Sequence, residues 1–488
     1  MNVTTLKKIA YLYVSIPLFI FCLCWLNLVS SIVFTALLSC SICLVWCSLN
    51  DEEPQCIGHK IILAAAIIAF IWCFCSGIGG YFYQAGEYAD AQDFSARNAV
   101  LRDLINYDWP INYGPSNRTM NYYFGFWLPP ALLTKAFRPF FNAEQLFTLG
   151  LNLQMIYAWI GVTLFLLLII TYIKPQNKKQ VALCLLLPVL FSGMDVIPVY
   201  TNINSLPQHI DGWNKLQYSS NTTQLFWVFN QTIITWVCFL LFLNEKTFKN
   251  YGLIFVSCLF CGPLPAVGVG TFMLAYIFRA LNYRFSLFAL KSNCQLLFSR
   301  QNLVMIPFLL LLWTFFNANN IAQSEFHWRH TSIQKYLGFC LTEFLLYAVC
   351  IWHTFKKDII FYFTVTSLLL ICCFQIGDYP DFCMRVSIPA LLMLMLYLIH
   401  YLIGININNI PPCTVMLIIG LILGAFTPAI EFSNGINRLL QTGKITHRCD
   451  NFITFADKDI TTYPFYNYIL DNPETKPFYQ YFGASNVK

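Results

Sequence analysis

Apolar runs of membrane-crossing length recur along almost the whole chain, and they constrain it more than any other feature. A helical span needs about 20 apolar residues. Candidate spans are 9–28, 30–49, 61–83, 122–138, 146–173, 181–200, 225–243, 251–279, 303–316, 336–353, 359–376, 388–403 and 413–430. The runs 122–138 and 303–316 are short. The run 251–279 is interrupted by Cys-Gly-Pro-Leu-Pro-Ala-Val-Gly-Val-Gly, which requires a kink or an unwound stretch shielded from lipid. Charged residues make up 11% of the 488 residues, against about 25% in soluble domains. Mean hydropathy is +0.59. These numbers exclude a soluble globular protein and predict an all-α polytopic membrane protein. The net charge of +6 is spread along the chain, as anchoring on the cytoplasmic side requires, and argues against a nucleic-acid partner.

Lys7 and Lys8 precede the first run and no small-residue cleavage site follows it, so the sequence predicts a retained anchor. Lysine and arginine in short loops set the orientation. They place residues 50–60, 279–300 and 354–358 in the cytoplasm, and the loops 84–121, 317–335 and 377–387, with the tail from about 431, on the other side. Lys174, Lys178 and Lys179 form a basic loop that simple counting puts on the wrong side. Either 122–138 is re-entrant and 251–279 is a hairpin, or the charge rule fails there.

Twelve of the 20 cysteines (Cys22, Cys24, Cys40, Cys43, Cys73, Cys75, Cys184, Cys238, Cys258, Cys350, Cys372 and Cys373) fall in apolar runs and read as small buried hydrophobes. No pair has metal-ligand spacing backed by histidine. There is no phosphate-binding glycine loop, Ser-His-Asp pattern or HExxH, which argues against a nucleotide-driven pump and an intramembrane metalloprotease.

The first outer loop carries the densest chemistry: Glu87, Asp90, Asp93, Asp103 and Asp108, with Arg97, Asn98 and Arg102 among them. A helix over 90–106 would set Asp93 and Arg97 on one face, with its apolar side on the membrane. A carboxylate there could accept a proton from an acceptor hydroxyl or bind a metal, and an arginine could hold a phosphate. Asp103 and Asp108 read as solvated charges. Arg385 opens a span beside Asp378 and Asp381, and its two roles, phosphate contact and snorkelling anchor, stay open. The loop holding Glu325, His327, Arg329 and His330 offers further phosphate contacts. Asp195, in or at the end of the run 181–200, is an ionisable group at membrane depth and a site candidate on that ground; Gln217, Asn221 and Asn230 follow it. Aromatic residues reach 17% of the chain, enough for interfacial belts plus an aromatic-lined site.

A cytoplasmic start, a span and an acidic first outer loop running into an interfacial helix resemble the GT-C superfamily of integral membrane glycosyltransferases. The stretches DFSARNAVLRDLINYDWP, YYFGFWLPPALL, SGMDVIPVY and DYPDFCMRVSIPALLML carry the likeness, which covers about 61–400. Glu87-Tyr-Ala-Asp90 and Asp90-Ala-Gln-Asp93 stand nearest to the family's paired carboxylates, one residue off the usual spacing. The resemblance implies a bundle of about 11–13 transmembrane helices with an interfacial helix in the first large outer loop. It implies an N-terminal hairpin at 1–60, a core at 61–430 and an outer tail at 431–488. It further implies transfer of a sugar from a polyprenyl-phosphate donor to a glycan, lipid or protein acceptor at the outer face, in a bacterial inner membrane. Asp93 or Asp90 would be catalytic. Arg97, Asn98, Arg329, His327, Arg385 and Asp195 would bind substrate and phosphate. A divalent metal, Mg or Mn, is left open. The alternative is a transporter or flippase of a lipid-linked glycan or polar solute.

Overall fold

The computed structural model describes residues 1–50, 55–82, 91–114, 117–200, 210–213, 216–282, 295–319, 326–376, 380–406, 409–443, 450, 452–458 and 467–484. At 91–93, 199–200, 212–213, 281–282, 438 and 442 it describes the backbone alone. The chain is an all-α polytopic membrane protein. Among the described residues, eight helices are long and apolar enough to cross a bilayer, and four shorter apolar helices join them.

In chain order the first helices are α1 (Val3–Cys24), α2 (Leu28–Asn50), α3 (His59–Cys75), α4 (Ala91–Asn106), α5 (Leu128–Lys135), α6 (Ala143–Ile173), α7 (Lys178–Leu190), α8 (Val196–Tyr200) and α9 (Asn221–Asn244). There follow α10 (Tyr251–Cys261), α11 (Pro263–Asn282), α12 (Arg300–Ala318) and α13 (Ile333–Phe355), the last of which carries a π turn at Leu341–Leu345. The chain ends with α14 (Ile359–Ile371), α15 (Asp381–Val386), α16 (Ile388–Ile403), α17 (Pro412–Gly424), α18 (Phe426–Thr442) and α19 (Pro477–Tyr481). Helix α9 is buried along nearly all its length, polar residues included, so it forms the axis of the bundle. It kinks at Val228, where φ is −136° and ψ is 34°.

Side-chain bonds show which helix ends lie together. Lys7 Nζ donates to the Asn244 carbonyl at 2.8 Å, and Thr171 Oγ1 to Asn244 Oδ1 at 2.9 Å. The Gly252 amide donates to Asn302 Oδ1 at 2.7 Å. Asp358 pairs with Arg279 at 3.6 Å and accepts from Tyr397 Oη at 2.8 Å. These contacts collect the lysine-bearing turns at one end, the basic end. At the other end the tail closes over the helices: the Ala484 amide donates to the Trp25 carbonyl at 3.0 Å and the Asn27 amide to the Phe482 carbonyl at 2.7 Å.

This arrangement settles the parity of the spans. The run 122–138 does not cross: it holds a 3₁₀ turn and the eight-residue α5, about 12 Å of helix. The run 251–279 is two antiparallel helices turning at Gly262, with Gly270 of α11 packed on the Phe255 ring of α10. At 11 residues α10 is about 16 Å long, half a membrane. The tip of this hairpin meets the 3₁₀ turn: a Cβ at Gly125 would lie 2.7 Å from Cys261 Sγ. The basic loop with Lys174, Lys178 and Lys179 therefore lies at the basic end, as the charge rule requires.

Four further expectations are corrected. Helix α7 ends at Leu190, because Pro188 and the extended Phe191 stop it, so Asp195 is not on a spanning helix. The last span runs on as helix to Thr442, past residue 431. Cys40 and Cys43 are exposed on the bundle's apolar periphery, where lipid substitutes for core. Helix α4 does not lie half in solvent: from Phe94 to Leu101 every residue is buried, because the tail covers its polar side.

Candidate functional site

The tail end of the bundle holds the polar chemistry. Helix α4 follows α3 and packs on α5 and α6. Its polar side is tied to the tail: Asn98 Nδ2 donates to Asp450 Oδ1 at 2.8 Å, and Arg102 pairs with Asp450 at 2.5 Å. Asp103 is 1% exposed and accepts from Tyr113 Oη at 2.8 Å and from the Phe455 amide at 3.0 Å. Burial pushes its carboxyl up to about 6, against the opposing pull of those donors, Thr454 and Arg102. Asp103 is thus not a solvated charge, contrary to expectation. Asp108 is: its side chain is 92% exposed, with Arg138 at 3.2 Å.

From α4 a chain of contacts leads inward. The Arg97 guanidinium stands 5.4 Å from the Phe94 ring, and Phe94 packs edge-on against Trp227 of α9 at 5.3 Å. Trp227 Nε1 donates to Glu431 Oε2 at 3.1 Å. Thr427, one turn before Glu431 on α18, donates to Asp195 Oδ2 at 2.7 Å, and Ser192 Oγ donates to the same oxygen at 2.9 Å. Asp195 faces Glu343 of the π turn, and Asp211 lies within electrostatic reach of Glu343. Asp195, Asp211, Glu343 and Glu431 are each at most 2% exposed. Gly193 makes room for Glu343: a Cβ there would fall 2.1 Å from Glu343 Oε2 and 2.9 Å from its Cα.

Two further cations lie at α15, whose Cys383 is within electrostatic reach of Glu343. Arg385 of α15 pairs with Asp381 at 3.0 Å and donates to Tyr123 Oη at 3.2 Å. Tyr123 packs tilted on Tyr122 and Tyr122 tilted on Tyr468, and Tyr468 stacks on Phe455, which returns the path to Asp103. Arg329 is 6% exposed and lies within electrostatic reach of Cys383, also on α15. Its amide donates to the Cys373 carbonyl beside a two-strand ladder that pairs Phe326–Trp328 with Phe374–Ile376. His327 sits on that ladder with its side chain exposed.

The fold therefore connects Arg97 with Asp195, and sets Arg329 and Arg385 about one short helix. Asn98 is committed to the tail, and His327 faces outward. Asp90 lies outside the described residues; Asp93 lies in α4, with its side chain outside them. Glu343, Glu431 and Asp211 were not expected. The signal for Glu343 was present, since an acid inside the apolar run 336–353 is costly unless it serves a site. Among the described residues, no three His, Cys, Asp or Glu side chains gather as metal ligands. Thus no described residue set fits the divalent ion that the resemblance left open. No protein-family model, no curated protein and no solved structure matches this chain.

Proposed function

We propose that the protein is a glycosyltransferase that moves a sugar from a polyprenyl-phosphate donor to an acceptor hydroxyl at the tail end of the bundle. The observation that carries this reading is the continuous path from α4 through Trp227 to the buried carboxylates, with Arg329 and Arg385 beside it. A lipid-phosphate donor needs cations at headgroup depth, and an acceptor hydroxyl needs a carboxylate. Asp93 is the proposed base, with Asp90 as its neighbour. It takes the acceptor proton as the oxygen attacks the anomeric carbon. The bond from that carbon to phosphate oxygen breaks, and polyprenyl phosphate leaves with its charge held by arginine. The positive-inside rule makes the tail end the non-cytoplasmic face. The proposed setting is a bacterial plasma membrane, with a glycan, lipid or protein as acceptor.

The test is transfer of labelled sugar from a polyprenyl phosphate by purified protein in detergent. Loss of a general base costs about 10²–10⁴ in rate. Asp93→Asn should fall by at least that lower factor, and transfer at the wild-type rate would remove Asp93 from the role.

A second reading, a transporter or flippase, draws support from Glu343 in a π turn of a spanning helix and from the broken hairpin α10–α11. Uptake of solute into proteoliposomes without a covalent product would favour it over transfer.

A further inference from the structure

The two-strand ladder at the tail end has its polarity reversed. Its register sets Phe326 opposite Ile376, His327 opposite Gln375 and Trp328 opposite Phe374. Side chains alternate between the faces of a strand, and directly opposed residues share a face. One face is therefore Phe326, Trp328, Phe374 and Ile376, apolar throughout. The other carries His327 and Gln375 and runs on to Arg329, whose amide donates to the Cys373 carbonyl at 2.8 Å. In a sheet that faces water on one side, the apolar face is the covered one. Here Gln375 and Arg329 are buried and His327 stands at the rim, while Phe326 is 57% exposed and Trp328 56% exposed.

The exposed rings are packed together. Phe326 stacks on Phe374 at 5.0 Å, Trp328 meets Phe374 edge-on at 5.1 Å, and Phe326 packs edge-on against Phe382 of α15 at 5.4 Å. The apolar surface continues onto α13, where Ile333, Leu337 and Leu341 are exposed at four-residue spacing along one side of the helix. Helix α13 is long and apolar enough to span the bilayer, so this side of it faces lipid.

We propose that the ladder lies in the interface of the non-cytoplasmic leaflet with its aromatic face against phospholipid, a membrane contact made by strands beside the spanning helices. Two observations carry this. A face that turns its rings out and its arginine in fits an apolar surrounding, and the same surface runs without a break into the lipid-facing side of α13. The depth follows from the backbone. The outer edge of each strand presents N–H and C=O groups that the hydrocarbon core cannot satisfy, so the ladder rests where headgroups and water reach them. Tryptophan favours that same layer. The placement sets Arg329, directly after Trp328 and on the opposite face, at headgroup depth behind the rings. The contact is independent of which reaction or transport the protein performs.

The test is photocrosslinking of the full-length chain in vesicles of phosphatidylethanolamine and phosphatidylglycerol. The variants are Phe326→p-benzoylphenylalanine and Trp328→p-benzoylphenylalanine, with Leu337→p-benzoylphenylalanine as the lipid-facing reference. Two ladder positions are used so that misfolding of one variant leaves the other to decide. After irradiation the chain is digested and its peptides are mapped by mass. The expected result is a mass shift of one phospholipid on the peptide that holds residue 326 or 328, as on the one that holds residue 337. Phospholipid adducts at 337 with none at either ladder position would overturn the proposal. So would a crosslink from either ladder position to a second copy of the chain, which would make the aromatic face a protein interface.

Discussion

Glu343 shows how much one residue reorganises its surroundings. A carboxylate in an apolar helix needs space and polar neighbours, and the protein supplies Gly193, Asp195 and a π turn. Replacing Gly193 with alanine would press its Cβ against the Glu343 backbone. Overpacking of this kind costs about 1–3 kcal/mol, and a lower Tm for Gly193→Ala in detergent should report it; an unchanged Tm would contradict the close approach. Asp103 gives a pH dependence. Its folded pKa stands near 6 against an ordinary 3.8. The folded state thus holds the proton more tightly than the unfolded chain between about pH 4 and 6. Stability from this group is therefore least above pH 6 and grows as pH falls through 6 towards 4. The gain reaches at most about 3 kcal/mol, because each tenfold difference in proton affinity is worth about 1.4 kcal/mol. Asp103→Asn lacks this contribution. Thermal unfolding from pH 8 to 5 should show wild type gaining on the variant, and parallel profiles would refute the burial argument. Asp195 stood out in the sequence because an ionisable group in or at the end of an apolar run is costly there. Glu431 was not, because its site is made by Trp227, 204 residues away.

At the scale of elements, the lysines carried more information than span lengths. Lys174, Lys178 and Lys179 left two alternatives, a re-entrant 122–138 with a hairpin at 251–279 or a failure of the charge rule, and the first is found. The apolar pattern alone could not decide, because a half-membrane helix shielded by neighbours is as apolar as a full span. The cover over α4 was also hidden in the sequence: helical spacing suggests an exposed polar face, and the distant Asp450 and Phe455 lie over it. A short epitope inserted after Asn177 should bind antibody from the same side of sealed vesicles as one at Lys357, and one after Glu474 only from the opposite side. Access to Asn177 and Glu474 from one side would undo the assignment of α7.

For the whole molecule, class was plain from composition and function was not. A chain with 11% charge has to live in lipid, but a glycosyltransferase and a transporter place similar residues at a helix-bundle mouth. The proposed transferase reading rests on the path from α4 to the buried acids, with Arg329 and Arg385 at the same end of the bundle. A polyprenyl phosphate bearing a photoreactive group, crosslinked to the protein in membranes and mapped by peptide mass, tests that path. Adducts are predicted in 94–106, 326–329 and 381–388. Adducts confined to the basic end, at 174–180 or 353–358, would contradict a lipid-phosphate site at the tail-end mouth.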